Sequence, residues 1–437
     1  ASNNTAMGSN ALKENTTGTN NTAVGATALD ANTTANDNTA IGFDSLGANT
    51  TGSANTAVGR EAMEANTTGA NNTVLGCAAL AVQTTASNNT AIGFNALLAN
   101  TTGTYNTAVG SLALDANTTA SNNTAVGYQA LTANTTGIRN TAIGYQTLAS
   151  NVSGNYNIAI GQTALNKNTT SNNTAIGYNS QEETTSGGNN TSLGYQTLQL
   201  NTSGTQNTAV GSGALDSNTT ASRNAAFGYN AGSSITTGNE NVCLGHAAGN
   251  ELTVGSDNIV IGGDASSGNS GSNDRIVIGR NATGTSNDRI TIGIAGNIAE
   301  LDLNGSDTSW AASSDIRLKE NVQDSTAGLN FINDLRPVTF DWKKKKDIDE
   351  SLENYYEENS EERIHGKEGI TYHGFIAQET REVIENHSEV ANGLGLIKDR
   401  DDGVLTAAPS ALIPVMTKAI QELSTQVDEL KQELLAL

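Results

Sequence analysis

The sequence predicts a mainly β fold: a parallel β-solenoid, or β-roll, followed by a small α+β domain that ends in a helix. Three observations lead to this prediction. One short unit recurs about every 17 residues up to about residue 300. Gly is abundant, with 46 residues, whereas aromatic residues make up 4% of the chain. Beyond residue 300 the period and the composition both change. Small side chains suit a narrow, regular core better than a thick globular one.

The repeat unit reads Asn-Thr-Ala-(Val/Ile)-Gly, followed by Ala-Leu and then by Asn-Thr-Thr-Gly. Its key glycines are separated by 17 residues in 15 of 17 intervals, by 16 in one and by 14 in the last. A period this regular indicates one structural coil per repeat. The key glycines are Gly8, Gly25, Gly42, Gly59, Gly76, Gly93, Gly110, Gly127, Gly144, Gly161, Gly177, Gly194, Gly211, Gly228, Gly245, Gly262, Gly279 and Gly293.

Each coil is expected to contain two short strands and two turns. Thr22-Ala23-Val24 alternates β-branched residues with a small one, which predicts a strand. Gly25 then allows a turn or a close approach of neighbouring backbone. Ala28-Leu29 would begin the second strand, and Asn32-Thr33-Thr34 has turn chemistry. Stacking would align equivalent Asn and Thr side chains as ladders. At about 4.8 Å per coil, the 18 coils make a rod about 85 Å long.

A coil this thin buries little by itself, so its small and aliphatic faces suggest association along the rod. The Asn-Thr-Ala-Ile-Gly element resembles the repeat of trimeric autotransporter adhesin heads, which are left-handed β-rolls. The resemblance implies a left-handed solenoid and a homotrimer. The 17-residue spacing is longer than the commonest coil in those heads, and the final 14-residue interval is closer to it.

The residue after the key glycine is often aromatic, and two interpretations stay open. An exposed aromatic stripe could stack on the sugars of a host receptor. The same side chains could instead pack between coils or between subunits. The residues concerned are Phe43, Phe94, Tyr128, Tyr145, Tyr178, Tyr195 and Tyr229.

The repeat decays toward residue 300. The Leu four residues after the glycine is replaced at Gln181, Gly232 and Gly249, and charged residues enter the coils of Arg275 and Arg289. These later coils are expected to form a neck or cap. Acidic residues are sparse in the repeat, so the paired carboxylates of a glycan hydrolase are not expected there.

Composition excludes several other classes of function. The net charge of −22 argues against nucleic acid and anionic membrane surfaces as partners. No apolar run approaches the length of a membrane span, so no membrane insertion is expected. Cys77 and Cys243 form no metal-binding pattern and are interpreted as small buried side chains. We expect neither a metal nor a cofactor.

After the repeat, the junction Ser314-Asp315-Ile316-Arg317-Leu318-Lys319 is followed by four further segments in a fixed order. They are Gly328-Leu329-Asn330-Phe331-Ile332, Leu335-Arg336-Pro337-Val338-Thr339-Phe340-Asp341-Trp342, Gly374-Phe375-Ile376-Ala377-Gln378-Glu379 and Leu412-Ile413-Pro414. Together they resemble the C-terminal intramolecular chaperone of endosialidase-type phage tailspikes and related tail fibres. Residues 343–369 depart from that family and are interpreted as a solvated, variable insertion.

The C-terminal end predicts a parallel coiled coil. Ile413, Ile420, Val427 and Leu434 occupy heptad position a, and Met416, Leu423, Leu430 and Leu437 occupy position d. β-branched residues at a with Leu at d favour dimers, whereas the family resemblance implies a trimer. An amphipathic helix packed on its own domain is the alternative.

The resemblance implies serine–lysine self-cleavage between Ser314 and Asp315, with Ser314 as the key serine, Lys319 as its base and Arg317 orienting Asp315 or the neighbouring chain. A partly desolvated lysine can be neutral enough to accept a serine proton. Because attack of Ser314 on its own carbonyl would close a four-membered ring, Ser314 would act across subunits or assist another nucleophile. A plain linker is the alternative. Only single-turnover self-cleavage is expected as enzymatic activity.

The expected organisation is a solenoid over residues 1–300, a neck and cleavage junction over 301–314, a chaperone over 315–408 and a coiled-coil helix over 409–437. The resemblance implies a trimeric virion tail fibre that attaches to a host glycan or protein and is matured by release of its chaperone. The alternatives are a bacterial surface adhesin or extracellular fibre with the same chaperone, and a fragment of a glycan-degrading tailspike.

Overall fold

The computed structural model describes residues 2–303, 311–312, 320–352, 355–365, 370–390, 395–399 and 404–436. The chain divides into two compact units, residues 1–313 and 314–437. The first unit is the parallel β-solenoid that the repeat predicts, and the second is a small α+β unit with a long C-terminal helix.

Strands β1 to β18 each pair in parallel with the next, one strand per coil. The register follows the glycine spacing: Thr5 lies opposite Thr22, 17 residues later, and Ile158 lies opposite Thr174 across the 16-residue coil. The strands, in order, are Thr5–Met7, Thr22–Val24, Thr39–Ile41, Thr56–Val58, Thr73–Leu75, Thr90–Ile92, Thr107–Val109, Thr124–Val126, Thr141–Ile143, Ile158–Ile160, Thr174–Ile176, Thr191–Leu193, Thr208–Val210, Ala225–Phe227, Val242–Leu244, Ile259–Ile261, Arg275–Ile278 and Arg289–Ile294.

The prediction of a second strand in each coil was wrong. After the strand and its glycine, the chain forms a series of turns in which Thr27 and Leu29 have φ values of 57° and 51°. These left-handed conformations on alternate residues bend the backbone too sharply for a pleated strand. They turn both Ala28 and Leu29 into the coil interior, where both are fully buried.

The apolar core is a stack of small side chains. Ala23, from the centre of the strand, packs with Ala28 and Leu29, and equivalent residues continue this cluster from coil to coil. Cys243 belongs to the core, and its burial raises the pKa of the thiol to about 12. Cys77 is only half-buried, contrary to prediction, because it follows a key glycine, where side chains point outward.

Two columns of buried Asn side chains run beside the apolar stack, which confirms the predicted ladders. In the first column, Asn21 accepts a hydrogen bond at Oδ1 from the backbone N–H of Asn38 at 3.0 Å, and its Nδ2 donates to the Ala35 carbonyl at 2.8 Å. In the second, Asn49 Nδ2 donates to Asn32 Oδ1 at 3.1 Å. Unpaired buried amides are costly, so these reciprocal bonds allow a polar core without water.

The apolar stack is interrupted at Gln181, which takes the place of the usual Leu. Its Nε2 donates to the Thr174 carbonyl and to Ser192 Oγ at 2.9 and 2.8 Å, but its Oε1 is buried without a hydrogen-bond partner. The core consequently forms one cluster up to Ala175 and a second from Leu198 to Ala265. A buried unsatisfied acceptor costs about 1–3 kcal/mol, so this is a weak point of the solenoid.

The two other Leu replacements are compensated within their own coils. Where Gly232 and Gly249 replace Leu, Ile235 and Leu252 replace the Asn three residues later, and both are fully buried. The large apolar side chain of each of these coils lies in the second Asn column instead of the Leu column. The core therefore stays filled, although the second Asn column ends here.

The predicted cap closes the solenoid after Arg275. Arg275 takes the position of the first Asn column, lies 5% exposed, and donates from Nη1 to the Ser267 carbonyl at 2.5 Å. Burial lowers its pKa. Arg289, one 14-residue coil later, pairs with Glu300 and Asp302 at 3.0 and 2.8 Å. Both acids lie on β19 (Asn297–Asp302), which runs antiparallel to β18 and pairs with β20 (Ala311–Ala312).

The second unit contains short elements around one core. Its helices are α1 (Leu329–Asp334), α2 (Ala377–Asn386) and α3 (Ile413–Ala436). Two antiparallel pairs complete it: β21 (Val338–Phe340) with β22 (Tyr372–Gly374), and β23 (Ile397–Asp399) with β24 (Leu405–Ala407). Single 3₁₀ turns span Lys345–Asp347 and Pro409–Leu412.

Replacement of one key glycine is expected to break the stack. In Gly110, φ is +137°, and a Cβ there would overlap the Gly127 carbonyl of the next coil. Gly110→Ala should therefore cost more than about 3 kcal/mol. Gly263→Ala is the matched control, because a Cβ at Gly263 meets no atom within 4 Å. Thermal unfolding of both variants checks this; equal losses would contradict backbone contact as the reason for glycine.

Candidate functional site

The predicted cleavage junction lies where the two units meet in the sequence. The division between residues 313 and 314 falls beside Ser314. Ser314, Asp315, Arg317 and Lys319 themselves lie outside the described residues, so their arrangement stays a prediction. On the solenoid side the last described element is β20, and the chain is described again from Glu320.

The family-like segments predicted from the sequence meet in the core of the second unit. Phe331 of α1 is fully buried, and Leu335 follows it into the same cluster. The strand Val338–Phe340 pairs with Tyr372–Gly374, which leads into α2. Leu412 closes the cluster immediately before α3. Segments far apart in sequence therefore form one packed body, as expected of a folded domain.

Polar contacts link the helices of this unit. Glu422 of α3 accepts a hydrogen bond from the backbone N–H of Leu329, at the start of α1, at 2.8 Å. His387 contacts Glu389 and Asp334, each at 2.8 Å, and both hydrogen bonds raise the pKa of the imidazole. Its ring also meets the edge of Phe331 at 5.3 Å. These contacts connect the end of α2 and the middle of α3 with α1.

The segment predicted as a solvated insertion is held by ion pairs where it is described. Lys344 and Lys346 both bond Glu361, and these hydrogen bonds lower the pKa of that carboxyl to about 2. Lys345 pairs with Glu357 and Glu362, both at 2.9 Å. Lys344, Lys345 and Lys346 are therefore each ion-paired with acidic residues of the same segment.

Helix α3 has two different apolar faces. Val415 and Ala419 are 3% and 5% exposed and pack on the helix's own unit, as the amphipathic-helix alternative expected. The heptad face is exposed along its whole described length. Leu437 lies outside the described residues. The fractions exposed are Ile413 62%, Met416 47%, Ile420 64%, Leu423 50%, Val427 42%, Leu430 63% and Leu434 75%.

The predicted aromatic stripe is exposed and partly self-stacked. Tyr128 stacks on Tyr145 with ring centroids 5.6 Å apart, and Tyr178 stacks on Tyr195 at 5.4 Å. Tyr229 stacks on His246 at 5.3 Å. The rings therefore pack between coils while their outer surfaces remain exposed, and binding of sugars by the stripe stays a prediction. The individual exposures are Phe43 52%, Phe94 53%, Tyr128 44%, Tyr145 47%, Tyr178 42%, Tyr195 52% and Tyr229 54%.

Sequence reasoning missed an outward column of apolar side chains two residues before the aromatic stripe. It occupies the last position of each three-residue strand, because alternation turns the middle residue inward and its neighbours outward. None of its members is buried. They are Met7, Val24, Ile41, Val58, Leu75, Ile92, Val109, Val126, Ile143, Ile160, Ile176, Leu193, Val210, Phe227, Leu244, Ile261, Ile278 and Ile292. The alternation in the repeat was sufficient to find this aliphatic column.

The described part of the chain offers neither a metal site nor a membrane-spanning helix. Those residues contain no cluster of three or more His, Cys, Asp or Glu side chains suited to a metal ion. Among the described helices, none is both long enough and apolar enough to cross a membrane.

Comparison with known proteins identifies the second unit. No curated protein matches the chain. Residues 314–389 match the family model of the chaperone of endosialidase, Peptidase_S74. The matched region begins at Ser314 and includes α1, the β21–β22 pair and α2, whereas α3 lies beyond it. The chain therefore carries a chaperone-of-endosialidase domain at residues 314–389, directly after a β-solenoid, a combination that fits a trimeric fibre or tailspike-like protein.

Proposed function

We propose that this protein is a trimeric adhesive fibre, the host-attachment segment of a phage tail, whose C-terminal domain directs assembly and is then released by self-cleavage. The observation that carries the proposal is the chaperone match, which begins at the sequence boundary between the two units. The junction Ser314-Asp315-x-Arg317-x-Lys319 stands at that boundary.

The solenoid supplies a physical reason for a chaperone. Every coil presents nearly the same contacts as its neighbours, so neighbouring chains could associate one coil out of register with little loss of contact. Parallel, long-range pairing is also slow to form and exposed to misassembly. A C-terminal domain that associates first would fix the register before the rods join.

Both units carry surfaces suited to such association. The aliphatic column runs through every coil, from Met7 to Ile292, without being buried. Helix α3 exposes its heptad face while its other face packs on its own unit. Large contiguous apolar surfaces on a soluble protein usually mark an interface. In the proposed trimer, the columns of three rods face one another and the three α3 helices form a coiled coil.

Release of the chaperone would make the fibre kinetically stable. Hydrolysis of the Ser314–Asp315 amide consumes one water and leaves a carboxyl group on Ser314 and an amine on Asp315. In the proposed step, the Ser314 hydroxyl oxygen of one chain attacks the Ser314 carbonyl carbon of a neighbouring chain while Lys319 accepts the hydroxyl proton. Lys319 passes this proton to the departing Asp315 amine, and water then hydrolyses the resulting ester and restores the hydroxyl. An element that lowers the barrier to assembly also lowers the barrier to disassembly, so its release leaves the assembled fibre behind a higher unfolding barrier.

Intact mass spectrometry tests the cleavage. The purified wild-type chain should give two fragments that meet at Ser314/Asp315, because the serine and its base are both present. Ser314→Ala and Lys319→Ala should each remain at the full-length mass. A single full-length mass for all three proteins would contradict self-cleavage and leave the domain as a permanent cap.

Native mass spectrometry tests the association. The uncut Lys319→Ala chain should have the mass of three chains. Adding Val427→Lys should at least halve the trimer fraction, because it places charges in the heptad seam. Glu429→Lys is the matched control, since it puts the same side chain on the same helix outside the seam. A monomeric Lys319→Ala chain, or equal effects of the two lysines, would contradict the proposed interface.

A further inference from the structure

The column that follows the key glycines has a period of three coils that the 17-residue repeat does not require. Counting from the coil of Gly8, Ser111, Gln162 and Ser212 occupy this column in the seventh, tenth and thirteenth coils. Each of these polar positions has an aromatic residue in the coil before and in the coil after it. The flanking pairs are Phe94 with Tyr128, Tyr145 with Tyr178, and Tyr195 with Tyr229.

These aromatic residues form the walls of three slots across the rod. Tyr128 and Tyr145 stack with an interplanar angle of 17°, and Tyr178 and Tyr195 with 10°, so their ring planes lie across the stacking direction of the coils. The outer face of Tyr145 consequently looks along the rod toward Tyr178. Coils rise about 4.8 Å each, so two rings separated by one polar coil stand roughly 10 Å apart.

This separation fits one inserted ring. Stacked rings prefer centroid separations of about 4.5–7 Å, so a ring held between two walls needs walls about 9–14 Å apart. The slots fall within that range. By contrast, the space between stacked neighbours such as Tyr128 and Tyr145 is already filled by their own contact.

The floors of the slots are polar and uncharged. The side chains of Ser111, Gln162 and Ser212 have no hydrogen-bond partner within the described part of the chain, and none of the three is buried. From Phe94 to Asn230, this column and the next residue of each coil contain no charged side chain, although the protein has a net charge of −22. Apolar ring faces beside unpaired hydroxyl and amide groups suit a neutral sugar, which offers both a C–H face and hydroxyl groups.

We propose that these three slots bind pyranose rings of a neutral surface polysaccharide, presented as terminal or branch sugars. A polysaccharide backbone lying along the rod would present ring edges to the walls, whereas a branch or terminal ring can enter between them. The slots recur about every 14 Å, so one rod would engage several sugars at once. The assignment of a surface glycan as receptor rests on the proposed function; the existence of the slots does not.

The experiment measures binding of the full chain to immobilised polymers that display terminal glucose, galactose, mannose or N-acetylglucosamine, beside an unbranched β-glucan. Wild type should bind at least one displayed sugar and bind the unbranched polymer at least about tenfold more weakly. The variant Ser111→Tyr/Gln162→Tyr/Ser212→Tyr fills every slot with a ring that continues the existing stack. It should lose about 100-fold in apparent affinity, because multivalent binding is lost.

The variant with filled slots distinguishes binding within slots from binding on a flat aromatic stripe. A flat stripe would bind as well or better with three added tyrosines, and that result would overturn the proposal. Tyr145→Ala/Tyr178→Ala, which removes both walls of one slot, should weaken binding at least about threefold. Phe43→Ala should leave binding unchanged, because the positions two coils away in its column, Ser9 and Cys77, provide no second aromatic wall.

Three other outcomes would also overturn the proposal: no binding of wild type to any displayed sugar, preferred binding of the unbranched polymer, or protection of Tyr145 and Tyr178 from nitration in the native assembly. Protection would place the column inside an interface between chains. The intact mass of the same sample reports self-cleavage independently, so failure of the chaperone proposal is distinguished from failure of the slots.

Discussion

The structure of the rod depends on the buried Asn amide that links each coil to the next. A coil of about 17 residues encloses too little apolar volume to exclude water by hydrophobic burial alone. It must satisfy its inward-facing backbone groups itself, and the Asn21 column does so with one acceptor and one donor per coil. The key glycine completes this arrangement because only a residue without Cβ lets adjacent backbones approach at that corner. Where Arg275 replaces the Asn, the regular 17-residue stack ends.

Because the repeat is strict, it determines the outer surface of the rod as well as its core. Each position of the coil becomes a column, so one outward aliphatic residue per coil becomes an apolar surface along the whole solenoid. Such a surface favours association but specifies register poorly, since a shift by one coil matches like with like. In our proposal the information missing from the rod is supplied by the second unit, whose sequence does not share the 17-residue repeat. In our proposal a variation every three coils in another column likewise creates three similar slots.

The period and its glycines were sufficient to predict the solenoid and the Asn ladders, because these follow from strand alternation and from residue spacing. The decay of the repeat predicted only that the later coils form a neck or cap. The turns that stand in place of the expected second strand could not be predicted. Thr27 and Leu29 adopt left-handed conformations there, which ordinary residue propensities disfavour and which only the closed coil imposes. Packing between columns could not be predicted from a single repeat either. It determines the burial of Gln181, and it lets Ile235 fill the space left where Gly232 replaces Leu. At the junction, the motif predicted the family, and the match to residues 314–389 supports it. The roles of Ser314 and Lys319 and the solenoid's handedness stay predictions.

The most direct test of this account is amide hydrogen exchange along the native rod. The N–H groups bonded to the first Asn column, from Asn38 to Arg275, should be strongly protected in every coil, because each is buried and bonded to a side chain of the preceding coil. Protection should fall locally in the coil of Gln181, where a polar side chain with an unsatisfied acceptor interrupts the apolar stack. Exchange of these amides at the rate of an unstructured chain would contradict the buried ladder as the interaction that holds the solenoid together.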